Sequence, residues 1–129
     1  MSWTYSCPQC SGVLNPGEAV VLVAAHGATR VLMGFHPAPG NYQASVPPGV
    51  AVNPGEVWDF SCPLCHASLV SYVDRSLCAI DLQVGGSRSR VYFSRTAGRR
   101  ATFVVSSDGT VEMHGPDAAK HPLEMLDYL

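Results

Sequence analysis

Four cysteines arrive in two matched pairs, Cys7-Pro8-Gln9-Cys10 and Cys62-Pro63-Leu64-Cys65. Two residues between cysteines let one tight turn aim both sulfurs at a point. Proline in the first intervening slot fixes φ and favours that turn. Two such turns supply four thiolates, the full shell of a tetrahedral metal ion. Zn²⁺ is the reading that ligand type and count favour, because a closed tetrathiolate is a common structural zinc site. Iron accepts the same four sulfurs and is the alternative cofactor. A dithiol redox pair would need a βαβ context around one motif, and the sequence has none. Gly12, just after the first pair, reads as the permissive backbone position of the knuckle; the second pair runs instead into His66.

Other residues carry weaker chemistry. Cys78 is the odd cysteine, set among apolar residues, and reads as a buried thiol. His26 and His36 flank a predicted hairpin and are the candidates for a second site. His66 adjoins a ligand and is a candidate to support the metal from outside its shell. Five of the eight basic residues fall between positions 88 and 100: Arg88, Arg90, Arg95, Arg99 and Arg100. Tyr92 and Phe93 are interleaved with them. Arginine with aromatics on a sheet can hold phosphates and stack bases. It also recognises carboxylates bidentately. Arg88, Arg90, Tyr92, Arg95, Arg99 and Arg100 are therefore the candidate contacts for a protein partner or, alternatively, a nucleic acid. From Asp108 onward the balance reverses, with Asp108, Glu112, Asp117, Glu124 and Asp127 against Lys120, which allows head-to-tail pairing of copies as a homo-oligomer. No Walker loop, nucleophile elbow, dinucleotide fingerprint or His-Glu-X-X-His helix is present, so no catalytic residue is assigned.

The elements that must position these groups are strands. Ala19–Ala25 reads as a buried strand and Val31–Phe35 as its hairpin partner across His26–Thr29. Residues 37–55 are so rich in proline and glycine that regular structure is excluded. Glu56–Phe60 enters the second knuckle as a strand, and Ser68–Val73 leaves it as another. Leu77–Val84, Val91–Ser94, Ala101–Val105 and Thr110–Met113 then form an antiparallel meander, turned at Gly85-Gly86 and Asp108-Gly109. Ala119, Leu123 and Leu126 fall at helical spacing, and Pro122 suits a first turn, so a short C-terminal helix is expected from about Pro122. The expected fold is mainly β: a zinc-ribbon-like region over 1–73, with a Pro/Gly-rich insertion between the knuckles, and a meander plus helix over 74–129, packed as one domain.

The chain of 129 residues is 47% hydrophobic and 14% charged, which excludes disorder. Its net charge of −2 gives no global attraction to nucleic acid or membrane. Met1–Tyr5 has no basic region or apolar run of signal-peptide length. A soluble cytoplasmic protein without a membrane partner is expected.

The two pairs, Cys7-Pro8-Gln9-Cys10-Ser11-Gly12 and Cys62-Pro63-Leu64-Cys65, resemble the zinc ribbon and rubredoxin-like class. The resemblance implies a tetrathiolate joining two β-hairpins, with Cys7, Cys10, Cys62 and Cys65 as ligands. The class spans nucleic-acid binders, components of larger assemblies and one-electron carriers. In this chain 51 residues separate Cys10 from Cys62, and His66 stands where rubredoxins place a glycine. The leading function is thus a non-catalytic, zinc-stabilised interaction module or small subunit of a cytoplasmic complex. The alternatives are a nucleic-acid-binding ribbon using Arg88–Arg100 and a rubredoxin-like carrier with iron.

Overall fold

A computed structural model describes residues 3–72 and 74–118. Nine strands follow in order: β1 Thr4–Ser6, β2 Val20–His26, β3 Thr29–Phe35, β4 Ala44–Ser45, β5 Asp59–Ser61, β6 Leu77–Val84, β7 Ser87–Ser94, β8 Thr102–Ser106 and β9 Val111–His114. They form two antiparallel sheets, β1-β6-β7-β8-β9 and β4-β3-β2-β5. The chain is mainly β, as its alternating and β-branched runs require. The expected helix from Pro122 lies outside the described residues.

Local chemistry sets the hairpins. Gly27 (φ 58°) and Gly85 (φ 57°) each begin a two-residue turn, joining β2 to β3 and β6 to β7. Positive φ at the first turn position suits type II′ geometry, whose twist matches the flanking strands. The Asp108-Gly109 turn forms as expected; the Asp108 carboxylate accepts the Thr110 N–H at 2.9 Å, so β9 begins one residue later than anticipated.

The span between the knuckles is β, and the chain through β8 is a tandem repeat of two halves. Each half runs strand, knuckle, long hairpin, returning strand: β1 to β4, then β5 to β8. The correspondence reaches single residues. Leu14 N–H donates to Tyr5 O at 2.8 Å, and Leu69 N–H to Phe60 O at 2.9 Å. Phe35 pairs with Ala44 as Phe93 pairs with Thr102. The halves exchange their first strands. β1 pairs with β6 of the second half, Tyr5 opposite Leu82, while β5 pairs with β2 of the first, Phe60 opposite Ala24. Described residues from both sides of position 73 therefore lie in one sheet, through β1 and β6.

This exchange explains the core. Between the sheets, Tyr5, Leu22, Met33, Phe60, Ile80, Val91 and Val104 are buried together. On the outer face of the five-stranded sheet, Leu77, Ala79, Tyr92, Phe103 and Ala118 form a second cluster. Both faces of β6 and β8 are thus covered, and their sequences run apolar without strict alternation.

Two expectations are revised. Ser68–Val73 does not form a strand over its described residues. Ser68 bridges Ser61 and Val70 bridges Cys78, and this division between two partners prevents a ladder. Beyond it, Asp74 Oδ1 accepts both the N–H (2.9 Å) and the hydroxyl (2.7 Å) of Ser76, closing a local turn before β6. The loop 37–55 contains one short regular piece, β4, because Phe35 and Gly34 of β3 offer it a sheet edge.

Candidate metal centre

Each knuckle is a hairpin tip held by the same bonds. Cys7 N–H donates to Gly12 O and Cys62 N–H to Ala67 O, both at 3.0 Å. Ser11 N–H reaches back to Cys7 O (2.8 Å), and His66 N–H to Cys62 O (2.9 Å). Closing the turn this way puts Ser11 (φ 62°) and His66 (φ 66°) in the left-handed region. The permissive position is therefore the residue after the second cysteine, not Gly12. Gly12 has a different reason: a Cβ there would run into the Leu64 side chain of the opposite knuckle. Left-handed backbone costs a residue with a Cβ about 1–2 kcal/mol, partly offset by glycine's greater entropy loss. His66→Gly should accordingly raise stability by up to about 1 kcal/mol, read as the guanidinium midpoint of metal-loaded protein.

The turns bring the four sulfurs together. Cys7 Sγ lies 3.7 Å from Cys65 Sγ, and Cys10 Sγ 3.8 Å from Cys62 Sγ; all four lie within 4.8 Å of one another. A disulfide needs about 2.05 Å. A tetrahedral ion holding sulfur at about 2.3 Å separates its sulfurs by about 3.8 Å. The cross-knuckle spacings match the second geometry. The donor set is all sulfur, and its size suits Zn²⁺ or iron.

The surroundings divide the four cysteines. Cys7 and Cys62 are fully buried, while Cys10 and Cys65 face solvent. Backbone N–H groups point at the sulfurs: Gln9 to Cys7 (3.3 Å), Gly12 to Cys10 (3.4 Å), and Leu64 and Cys65 to Cys62 (3.3 and 3.5 Å). Burial pushes the Cys7 thiol up to about 12, and the Cys65 and Cys62 sulfurs add to it against the N–H groups of Cys10 and Gln9. Burial also acts on Cys62, but the N–H groups of Cys65 and Leu64, together with the Cys65 and Cys10 sulfurs, hold that thiol below its ordinary value. A cation that binds thiols displaces the protons they hold.

The arginine run is split by the sheet. Arg88 and Arg90 are exposed on one face of β7, and Arg90 pairs with Asp81 directly opposite at 3.0 Å. Tyr92 shares that face but is buried at 4% exposure in the outer cluster, so its ring is not offered for stacking. Arg95 points to the other face. It donates to Trp58 O (3.0 Å) and Arg75 O (2.8 Å) and pairs with Asp59. Arg99 and Arg100 follow in the next turn, both exposed. These six residues do not make one continuous surface.

Among the described residues the histidines do not gather into a second site. His26 Nε2 meets Glu56 Oε2 at 3.2 Å, its Nδ1 lies 3.0 Å from Val57 O, and its ring stacks on Trp58 at 5.2 Å. This fastens the β2–β3 turn to the strand entry before β5, a contact that sequence spacing gave no signal for. Glu56 is held below the usual carboxylate value, first by the Asn53 N–H and then by His26. His36 Nδ1 accepts the Ala38 N–H within its own loop. His66 contributes its backbone to the knuckle. Among the described residues no further group of three His, Cys, Asp or Glu side chains converges.

Cys78 is fully buried in β6, and burial pushes its thiol up to about 12. It should resist a maleimide at neutral pH until the protein is denatured, a difference mass spectrometry reads directly. Because the folded value lies above the unfolded one, this thiol's contribution to stability is complete below about pH 9 and declines as pH rises toward 12. Cys78→Ala should flatten that alkaline loss.

Among the described residues no helix is long and apolar enough to cross a membrane. Comparison with protein-family models, with curated proteins and with solved structures finds no match.

Proposed function

We propose that the chain is a non-catalytic module in which one Zn²⁺, held by Cys7, Cys10, Cys62 and Cys65, fastens two exchanged β halves, and that it works as a small subunit or adaptor bound to a protein partner in a cytoplasmic complex. The observation that supports this reading is a shell of four sulfurs within 4.8 Å of one another, two of whose spacings, 3.7 and 3.8 Å, match a tetrahedral ion. Such a shell leaves no coordination position for water or substrate, and catalytic zinc sites keep one open. The contact surface comes from the irregular loop 37–55 and from exposed apolar side chains such as Tyr72 and Leu32, 89% and 55% exposed.

The test is metal content followed by cobalt exchange. Colourless protein with one zinc per chain is expected. Its Co²⁺ form should show the visible absorption of tetrahedral thiolate and be unmoved by azide or imidazole. A shift on adding either ligand reveals an open position and overturns the reading. Red protein carrying iron would replace it with electron transfer.

A further inference from the structure

The two sheets do not close on each other. Between β2–β3 and β6–β7, beneath the loop that follows β3, lies a cavity of about 400 Å³. Its walls include Met33, Phe35, Phe60, Ile80, Val91 and Phe93. Phe60 stands edge-on to Phe35 and Phe93, with ring centroids 5.7 and 5.6 Å apart. The pseudo-symmetry of the halves therefore sets two equivalent rings about a third. Native cores keep few voids larger than a water molecule, whereas ligand sites run from roughly 300 to 1,000 Å³ with apolar walls and a few fixed polar groups. The cavity belongs to the second class by size and by lining.

The ionised side chains that line it are the cations Arg95, Arg99 and Arg100, with Asp59 paired to Arg95 and the Asp117 carboxylate accepting the Arg100 backbone N–H at 2.8 Å. No Asp or Glu lines it among the described residues. Arg95 is already held by Asp59 and by the carbonyls of Trp58 and Arg75. Arg100 is placed differently. Its guanidinium lies 6.0 Å from the centre of the Tyr42 ring, with no ion pair among the described residues. Tyr42 is fixed there: its hydroxyl donates to His114 O (3.1 Å) and contacts Thr102 Oγ1 (2.8 Å). The loop thus roofs the cavity, with a positioned cation at its edge.

We propose that this cavity binds a small apolar carboxylic acid, its hydrocarbon part among Phe35, Phe60 and Phe93 and its carboxylate on Arg100. Apolar burial supplies the affinity, and a charge-assisted bond to the guanidinium selects the acid over neutral analogues. This site is separate from the cysteine cluster, and its test does not depend on which metal that cluster holds.

The experiment uses the metal-loaded full chain, with dodecanoate and dodecanol as probes below the concentration at which either aggregates. Binding is read by calorimetry and by tryptophan fluorescence, since Trp58 lines the cavity. One-site saturable binding of dodecanoate is expected, about tenfold or more tighter than dodecanol. Arg100→Ala should weaken dodecanoate by a similar factor, leave dodecanol unchanged, and preserve metal content and far-UV circular dichroism. Val91→Trp should abolish binding by filling the space. Absence of saturation overturns the proposal, and so does equal affinity for acid and alcohol or an Arg100→Ala variant that binds dodecanoate as before.

Discussion

Stripping the metal should unfold this protein rather than loosen it. At neutral pH a strong zinc chelator should abolish the β signal in far-UV circular dichroism, and restoring zinc under reducing conditions should return it. The magnitude follows from two ranges. A structural zinc site contributes about 10–16 kcal/mol of apparent binding energy at neutral pH, while a small domain is stable by only about 5–15 kcal/mol. The architecture raises the stake. β1 and β5 are three residues each and lie in the sheet of the opposite half, so each is anchored through its knuckle. Cys62→Ser should act like the chelator, leaving a hydroxyl at a fully buried position beside three thiols. Lowering the pH should move the transition the same way, because protons compete with the cation for sulfur. A chelated protein that keeps its melting temperature would show that the cysteines are not a metal staple.

Phe60→Ala should destabilise the protein by about 3–5 kcal/mol. The ring is 8% exposed and sits edge-on to Phe35 and Phe93, one from each half. Its backbone pairs with Ala24 of β2, and it lies two residues before Cys62. Removing it enlarges a cavity the structure already contains, and edge-to-face aromatic contacts are lost along with buried area. Guanidinium unfolding at fixed, saturating free zinc should show a lower midpoint at unchanged slope. Phe60→Leu, which keeps most of the volume, should recover the greater part. A midpoint unmoved by Phe60→Ala would mean that the two sheets do not rely on this ring for their packing.

Much of the molecule was legible in its residues. The two Cys-Pro-X-Cys pairs determined that four sulfurs are available in a geometry suited to one ion, because the spacing acts through a single tight turn. Gly27, Gly85 and Gly109 marked three hairpins, since positive φ is a local demand that few residues meet. The same locality explains the errors. Ser68–Tyr72 has the composition of a strand, but its hydrogen-bond partners are divided between two other segments. Tyr92 looked like a stacking ring because alternation along β7 cannot reveal that the outer face is covered at that position.

Only the tertiary structure decided how the halves combine. Tyr5-Ser6-Cys7-Pro8 and Phe60-Ser61-Cys62-Pro63 repeat a short pattern, yet nothing in either copy specifies that β1 joins β6 and β5 joins β2. That exchange rests on long-range pairing and on which apolar faces become buried together. From it come the shared sheet, the three phenyl rings, the cavity they line and the position of Arg100 at its edge. Chemistry that depends on a turn can be read from neighbouring residues, whereas chemistry that depends on two sheets meeting appears only when they have met.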